Sequence, residues 1–348
     1  MKKIDYIEIY VSDLKHTVDF FHKTLQFVPV AYADEERYSS TLVQQGAIRL
    51  VFTAAKDQSG SIAEFVTTHG DGVKDIAFTT DNVEMYYQLA LQKGHRAVLP
   101  PTTYKVGNEF IFKATVSAIA DLTHTFIGRT TEQSSMLPFF NWVNTEQIHS
   151  NLITIDHLAI CVPVGDLSYY VNDYVDTYRF KLSHEEHVVT PNSGMKSKAI
   201  CSENKQIKLV FVEPVDGRLQ SQVSQFLSKF GGPGVQHIAF STPDIISAVR
   251  KLRNLGLEML TIPDEYYEIQ KDKFHMSKYV RQLLQENSIL FDKNEQGFLY
   301  QIFSKPVVER ATLFFEIIER VGCKGFGSKN IKALFQAIEQ EQVKRAIT

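Results

Sequence analysis

The sequence predicts an α+β protein of two tandem halves, each built from paired βαβββ modules, with a further helix at the C-terminal end. Three observations predict this architecture. The chain has 348 residues, enough for two domains at roughly 150 residues each. Short motifs recur in the same order in both halves. Within each half the apolar pattern changes repeatedly between the period of a strand and that of a helix.

The composition is typical of a globular protein and excludes several classes. Lys and Arg number 37 and Asp and Glu 40, a net charge of −3, so no basic surplus is available to bind nucleic acid. Hydrophobic residues make up 44%, too many for a disordered chain. The sequence has no apolar run of about 18 residues that would predict a membrane-spanning helix. Early acidic residues, Asp5 and Glu8, argue against a secretory leader. Three dispersed cysteines favour a reducing, cytoplasmic location.

Two pairs of motifs define the repeat. Residues 4–14 (IDYIEIYVSDL) match residues 155–167 (IDHLAICVPVGDL), and each has a strand-like alternation followed by an Asp-Leu that can open a helix. Residues 69–78 (HGDGVKDIAF) match residues 231–240 (GGPGVQHIAF). Each member of the second pair precedes a helical pattern that ends near a glycine. These matches predict that the two halves have the same topology.

A third, weaker pair of motifs completes the division of the chain. HTFIGR at 124–129 matches FEIIER at 315–320. The segment 131–150 is polar at both ends and lacks periodicity, which favours a linker. We therefore predict an N-terminal half at 1–130 and a C-terminal half at 151–348. The C-terminal half ends in a glycine-rich turn and an amphipathic helical pattern.

The two halves differ at three matching strand positions that bear on chemistry. The first half has Tyr6, Asp75 and Thr125 where the second has His157, His237 and Glu316. Two imidazoles and one carboxylate on neighbouring strands can form a facial triad, which suits Fe(II), although the ligand types also allow Mn(II), Zn(II) or Ni(II). A single strand histidine is more often a packing residue than a ligand, and strand alternation could point Glu316 outward. A buried, unpaired carboxylate between phenylalanines and isoleucines would be costly, however, which favours metal ligation.

Other motifs are weaker. Neither the phosphate-binding patterns GxGxxG and GxxxxGK[ST] nor the HExxH and GxSxG patterns occur, and GFGSKN at 325–330 fits none of them. Ser183–His187 brings two histidines together, but its charged neighbours favour a solvated turn. Cys161 is four residues after His157, on the same side of a strand, and a packing role is favoured for it.

Several blocks of sequence carry a resemblance to a known family. They are IDHLAI at 155–160, GPGVQHIAF at 232–240, YQIF at 300–303, FFEIIERVG at 314–322 and FGSKNIKALFQAIE at 326–339. The paired modules resemble the vicinal-oxygen-chelate fold, also described as glyoxalase/bleomycin-resistance-like. Over roughly residues 4–345 the chain resembles the family of 4-hydroxyphenylpyruvate dioxygenase and 4-hydroxymandelate synthase.

The resemblance implies a cofactor, a substrate and a pocket. It implies Fe(II) held by His157, His237 and Glu316, and oxidative decarboxylation of an aromatic 2-oxo acid, 4-hydroxyphenylpyruvate, with O2. It also implies a homo-oligomer, a dimer or tetramer. The residues that it assigns to the substrate pocket are Ser197, Val212, Gln222, Gln236, Gln301, Phe303, Phe326, Asn330 and Ile331.

Three positions favour one branch of that family. Dioxygenases usually have Pro-x-Asn-Glu where this chain has Val210 to Glu213, and Gly-Asn-Phe where it has Lys329 to Ile331. Val212 cannot hydrogen-bond and Ile331 offers no aromatic face, so the substrate ring could tilt its benzylic carbon towards the oxidant. This favours 4-hydroxymandelate as the product. The alternative is homogentisate, formed in tyrosine breakdown.

Two further classes of function stay open on sequence grounds. An extradiol ring-cleaving dioxygenase shares the paired fold and the ligand set but lacks the C-terminal FGSKNIKAL helix. A binding protein for a small aromatic ligand would usually lack the full triad. The N-terminal half is expected to be structural. Glycines 322, 325 and 327 could make the last helix a lid or form a turn of fixed geometry.

Overall fold

The computed structural model describes residues 1–131, 134–143, 151–190, 192–270, 277–327, 329–333 and 335. Within these ranges the strands form two curled sheets, one in each predicted half. The predicted α+β architecture of two related halves is therefore confirmed. Of the described helices, none is long and apolar enough to cross a membrane.

The first sheet contains nine strands among the described residues, in the spatial order β6-β7-β8-β5-β1-β4-β3-β2-β9. Its strands are β1 (Lys3–Tyr10), β2 (Val28–Asp34), β3 (Tyr38–Gln45), β4 (Ile48–Ala55), β5 (Gly72–Thr79), β6 (Ala97–Val106), β7 (Glu109–Ser117), β8 (Thr123–Arg129) and β9 (Asn141–Trp142). Its helices are α1 (Leu14–Lys23), α2 (Gly60–His69) and α3 (Val83–Gln92).

The second sheet, counted over the same described ranges, has eight strands in the order β11-β12-β13-β10-β14-β17-β16-β15. Its strands are β10 (Ile155–Cys161), β11 (Lys181–Val189), β12 (Ser193–Cys201), β13 (Lys208–Asp216), β14 (Gly234–Ser241), β15 (Leu290–Asn294), β16 (Gly297–Phe303) and β17 (Phe314–Val321). Its helices are α4 (Leu167–Tyr178), α5 (Gln222–Phe230), α6 (Ile245–Asn254), α7 (Asp264–Gln270) and α8 (Lys278–Glu286).

The two sheets share one topology. In the first, β1 runs parallel to β4 and antiparallel to β5. In the second, β10 runs parallel to β13 and antiparallel to β14. The halves differ after their third helix, where the second half adds α7 and α8 before its next strand. The repeat pattern did not predict these two helices because they have no counterpart in the first half.

The predicted helix signals are found at the expected ends. Asp13 precedes α1 and accepts a hydrogen bond from the backbone N–H of His16 at 2.8 Å, the usual role of an N-cap aspartate. Asp166 likewise precedes α4, without a side-chain capping bond. Gly94 and Gly256 follow α3 and α6 with φ of 92° and 96°, a conformation that glycine adopts without strain.

Aromatic side chains join the two halves into a shared core. Phe21 packs edge-on against Phe315, with ring centroids 5.5 Å apart, and Phe27 lies 5.9 Å from Phe240. These rings belong to one large buried cluster that draws residues from both sheets. Apolar side chains on one face of each sheet are thus buried against the other half.

The predicted linker is fastened to the first sheet. Its residues Asn141 and Trp142 form β9, which pairs with β2; two residues are too few to show as an alternation in the sequence. Asp5, on β1, is buried and accepts hydrogen bonds from Arg49 and Arg129. These two guanidinium groups also donate to the carbonyls of residues 135 and 136 in the linker. A buried cluster of three charges therefore holds this part of the chain against the sheet.

Candidate metal centre and pocket

Three neighbouring strands of the second sheet bring the predicted ligands together. His157 lies on β10, His237 on β14 and Glu316 on β17, and these strands are adjacent in the sheet. His157 Nε2 lies 3.3 Å and His237 Nε2 lies 3.6 Å from Glu316 Oε2. One ligand atom from each residue lies within 4.8 Å of the other two. Strand alternation therefore points Glu316 into the site rather than outward.

The strand register bears out the predicted equivalence of the two halves. Asp75 on β5 pairs with Glu8 on β1, and His237 on β14 pairs with Ala159 on β10. In both halves the partner lies two residues after the first matching position, Tyr6 or His157. The next strand matches as well, since Ala77 pairs with Thr125 and Ala239 with Glu316. In the first half, Thr125 is hydrogen-bonded to Thr115 at 2.9 Å. Burial raises the pKa of Asp75 to about 7, so that carboxyl is about half protonated at neutral pH.

The chemistry of the three side chains fits a divalent metal ion. Burial lowers the pKa of His237 to about 3, so its ring is neutral and can donate a lone pair. Glu316 is 1% exposed. Burial opposes its ionisation, yet the adjacent His157 holds the pKa of this carboxyl below its ordinary value. A buried carboxylate facing two imidazole nitrogens is the donor set of a facial triad, which suits Fe(II) and other divalent first-row metal ions.

Asp156 fixes the orientation of His157. Its Oδ1 lies 2.9 Å from His157 Nδ1, which assigns the proton to Nδ1 and leaves Nε2 free to bind a metal. Arg320 donates to both oxygens of Asp156 at 2.8 Å, and Lys208 donates to one at 3.2 Å. Burial would raise the pKa of Asp156, but the hydrogen bonds from His157 and Arg320 outweigh it and lower that pKa well below its ordinary value.

Gln301 plays a corresponding part behind Glu316. Its amide nitrogen donates to Glu316 Oε1 at 2.8 Å, which leaves Oε2 directed at the imidazoles. The amide oxygen of Gln301 accepts a hydrogen bond from Asn330 at 2.7 Å. Asn330 Oδ1 in turn lies 2.8 Å from the hydroxyl of Tyr266. Asn330 is fully buried and does not line the cavity, so the structure places it behind the pocket wall.

The ligands open onto a small cavity of about 60 Å³. The predicted pocket residues that line it are Ser197, Val212, Gln222, Gln236, Gln301, Phe303, Phe326 and Ile331. Phe326 and Ile331 contribute to one wall. Phe326 belongs to residues 323–327, which we call the closing segment, and Ile331 belongs to the helical residues 329–333 that follow it. The predicted C-terminal helix is described at 329–333 and 335, and the rest of it lies outside the described residues.

His184 is a pocket residue that the sequence interpretation missed. We expected a solvated turn at Ser183–His187, but these residues belong to β11, an edge strand paired with β12. The alternating exposure of an edge strand explains the charged pattern. His184 faces inward, 5.9 Å from the ring of Phe326, and its Nε2 lies 2.9 Å from Glu186.

Other wall residues were also missed, because they are ordinary core types in the sequence. They are Met195, Ala199, Val223, Phe314 and Phe335. Phe314 stacks on the ring of His237, with centroids 4.9 Å apart. The available signal was the position of Phe314 two residues before Glu316 in FFEIIER, which places both on the same face of a strand. Cys161 is fully buried in the cluster that includes Val212 and Phe226, which agrees with its expected packing role.

Comparisons with known proteins support the family. The model of the Glyoxalase/Bleomycin resistance protein/Dioxygenase superfamily matches residues 3–125 and 154–273. The 4-hydroxyphenylpyruvate dioxygenase of Yarrowia lipolytica is 34% identical, over 98% of this chain and 92% of the relative. That of Dictyostelium discoideum is 30% identical over 99% of both. Among solved structures, a triple mutant of 4-hydroxymandelate synthase from Streptomyces coelicolor is 32% identical, with a TM-score of 0.90 over 98% of this chain and 99% of that one. These matches extend over both halves and both sheets, and the chain therefore belongs to the 4-hydroxyphenylpyruvate dioxygenase and 4-hydroxymandelate synthase family, with the vicinal-oxygen-chelate fold.

Proposed function

We propose that the chain holds Fe(II) through His157, His237 and Glu316 and uses it to decarboxylate and oxygenate 4-hydroxyphenylpyruvate. The observation that carries the proposal is the convergence of these three side chains at the end of a mostly apolar cavity. The names of the similar proteins support the choice of metal and substrate. When bound, Fe(II) would supply a Lewis-acidic site that a 2-oxo acid can chelate and that can activate O2.

The chain's own residues would prepare that site. Asp156 keeps the proton of His157 on Nδ1, and Gln301 holds one oxygen of Glu316. Both contacts orient ligands before the metal arrives, so little reorganisation is needed when it binds.

The cavity walls would orient the substrate and exclude water. Phe303, Phe326 and Ile331 offer an apolar surface to an aromatic ring. We propose that Ser197, Gln222 and Gln236, predicted from the resemblance, orient the phenol and support the carboxylate end, since a few polar groups in an apolar pocket usually set ligand orientation. Exclusion of water would protect reactive species formed from O2.

For the product, we propose 4-hydroxymandelate. Val212 lies beside Ser197 in the strand register, where the dioxygenase pattern has a hydrogen-bonding asparagine. Ile331 lines the cavity where that pattern has a phenylalanine. With neither a polar anchor nor an aromatic face at these positions, the ring is free to tilt, which brings the benzylic carbon closer to the metal.

Homogentisate is the second candidate product. The curated relatives reported above carry the name of the dioxygenase, and their identities of 30–34% are similar to the 32% of the synthase structure. Overall similarity therefore does not separate the two products, and the choice of 4-hydroxymandelate rests on Val212 and Ile331.

A product assay tests the proposal. Protein loaded anaerobically with Fe(II) is given 4-hydroxyphenylpyruvate and O2, and the products are separated by chromatography against both standards, because homogentisate and 4-hydroxymandelate are isomers. We expect 4-hydroxymandelate, and a shift towards homogentisate in Val212→Asn with Ile331→Phe. Each single variant is assayed beside the pair, and Glu316→Ala is the control without product. Homogentisate from the unaltered chain would overturn the pocket argument and keep the metal and substrate. If the Fe(II)-loaded protein forms neither product, the proposed substrate is overturned as well.

Three further features are proposed on the same basis. The domain boundaries are 1–130, 131–150 and 151–348. The location is cytoplasmic, and the assembly is a dimer or tetramer. Light scattering coupled to gel filtration would measure the assembly directly.

A further inference from the structure

Arg320 joins the support of a metal ligand to the segment that covers the site. Its Nε and Nη2 donate to the two oxygens of Asp156, which itself contacts His157 Nδ1. Its Nη1 donates to the carbonyl of Gly325 in the closing segment. The guanidinium also lies 5.3 Å from the ring centroid of Phe326, whose ring is 5.2 Å from that of His157. One side chain thus contacts both the closing segment and the residue that orients His157.

The first half contains the same arrangement without a metal ligand. The register makes three pairs equivalent: Asp5 with Asp156, Arg49 with Lys208, and Arg129 with Arg320. Arg129 donates to Asp5 and to the carbonyl of Met136, in the segment that follows β8. The position of His157 is occupied there by Tyr6. A charged cluster that fastens the next segment is therefore common to both halves, and in the second half it also contacts a candidate metal ligand.

We infer that Arg320 is a positioning residue that couples docking of the closing segment to the orientation of His157. The inference rests on the proposed metal site, but not on the proposed substrate or product. When the closing segment is docked, the carbonyl of Gly325 accepts from Nη1 of Arg320 and fixes the guanidinium. Nε and Nη2 of the same group then hold Asp156 in place. Because coupling between two binding events is reciprocal, metal bound at His157 favours the docked segment by the same factor that docking favours the metal.

A comparison with Lys208 shows whether Arg320 positions His157 or only neutralises the charge of Asp156. It donates to Asp156 at 3.2 Å, but it has no contact with the closing segment among the described residues. If Arg320 only neutralises the buried carboxylate, variants of Arg320 and Lys208 should behave alike. If Arg320 positions His157 through the closing segment, the two variants should differ in that segment.

The test uses the full chain with Co(II), which is stable to O2 and has visible bands that report its coordination. Arg320→Met is compared with Lys208→Met and with Arg129→Met, the equivalent change in the first half. Two quantities are measured. The first is the Co(II) dissociation constant, by competition with a chelator. The second is amide hydrogen exchange of residues 323–327, in the metal-free and Co(II)-saturated protein.

We expect Co(II) to slow exchange of the closing segment in the unaltered chain. Arg320→Met should weaken Co(II) binding by roughly 10–100-fold and abolish the slowing even at saturation. Lys208→Met should retain the slowing. Arg129→Met should retain both the affinity and the slowing. Should Arg320→Met not fold, Arg320→Lys carries the same expectations, because lysine keeps the charge but lacks the fork of donors.

Two results would overturn the inference. One is equal loss of affinity in Arg320→Met and Lys208→Met with the slowing kept in both. The other is exchange of the closing segment that does not respond to Co(II) in the unaltered chain. A chain that binds no Co(II) overturns the metal site and the inference together. A chain that shows the coupling but does not consume 4-hydroxyphenylpyruvate overturns the proposed function and leaves the inference standing.

Discussion

Gln301 donates a hydrogen bond to Glu316, and this contact decides which oxygen of the carboxylate faces the two imidazoles. The amide nitrogen lies 2.8 Å from Oε1, whereas Oε2 lies 3.3 Å from His157 Nε2. The amide oxygen of Gln301 is held in turn by Asn330. Residues that the family resemblance assigns to the substrate are thus engaged with the metal ligand and with each other.

Gln301→Leu should therefore weaken metal binding. It leaves Glu316 Oε1 buried without its donor and no longer fixes which oxygen faces the imidazoles, so metal affinity should fall by roughly 10–100-fold. Chelator competition with Co(II) measures the change. Gln222→Leu is the matched control, because Gln222 lines the same cavity without a described hydrogen bond to a ligand. Equal losses in both variants would contradict the role given to Gln301.

Gly327 is expected to tolerate no side chain. Its φ is +74°, and a Cβ there would lie 2.6 Å from Gln301 Oε1 and 3.1 Å from Asn330 Nδ2. Gly327→Ala should therefore separate Gln301 from Asn330 and lower both turnover and metal affinity. At Gly325 the nearest atom to a Cβ would be 3.8 Å away, so Gly325→Ala should retain both. If the two variants were equally active, the packing of Gly327 against Gln301 would not matter for the site.

Metal should raise the unfolding temperature without being required for folding. A free metal concentration of 100 times the dissociation constant stabilises the folded state by about 2.7 kcal/mol. Glu316→Gln keeps an acceptor for Gln301 but removes the ligand charge, so metal should no longer shift its unfolding temperature. Thr125→Val, at the equivalent position of the first half, should keep the full shift. Calorimetry with and without Co(II) measures it, and an undiminished shift in Glu316→Gln would contradict the assigned ligand.

Asp5 should contribute a pH-dependent part of the stability. Burial opposes its ionisation, but the hydrogen bond from Arg129 and the charge of Arg49 lower its pKa below the unfolded value of 3.8. Its contribution is therefore complete above the unfolded value and is lost as the pH falls below that value towards the lower folded pKa. Asp5→Asn should lower the free energy of unfolding at pH 7 by about 3–5 kcal/mol, because two buried guanidinium groups lose their counter-ion.

Urea unfolding between about pH 7 and pH 3 checks this prediction. Asp5→Asn should lose less stability on acidification than the unaltered chain does. Asp19→Asn, at an exposed position of α1, should have little effect at any pH. Parallel pH curves for the unaltered chain and Asp5→Asn would mean that Asp5 does not titrate in this range.

The convergence of the three candidate metal ligands could be predicted because the repeat preserves strand register. Tyr6 and His157 occupy one register position, so a difference in residue type there was informative. The same comparison passed over Asp156 and Arg320, because the first half carries Asp5 and Arg129 at the matching positions. A comparison that looks for differences between the halves does not single out shared residues, although the Asp156 and Arg320 pair contacts the candidate ligand His157.

Features without a periodic signal were not predicted. His184 was assigned to a turn because an exposed edge strand has too few apolar residues to show alternation. Helices α7 and α8 have no counterpart in the first half, so the repeat gave no indication of them. Val212 and Ile331 line the cavity, and their contact with the substrate and their effect on the product stay predictions.

The Tyr6, Asp75 and Thr125 set has a consequence for how a metal would reach the candidate site in the second half. The first half builds the same sheet around these three side chains, none of which is an imidazole, so we expect the scaffold to assemble without a cation. The second half should do the same and present its ligands already arranged to whichever ion arrives first. Simple affinity for such a site increases from iron towards copper. Correct loading in the cell would then depend on which ions are available during synthesis, and a protein purified from metal-rich medium could be folded, fully occupied and inactive.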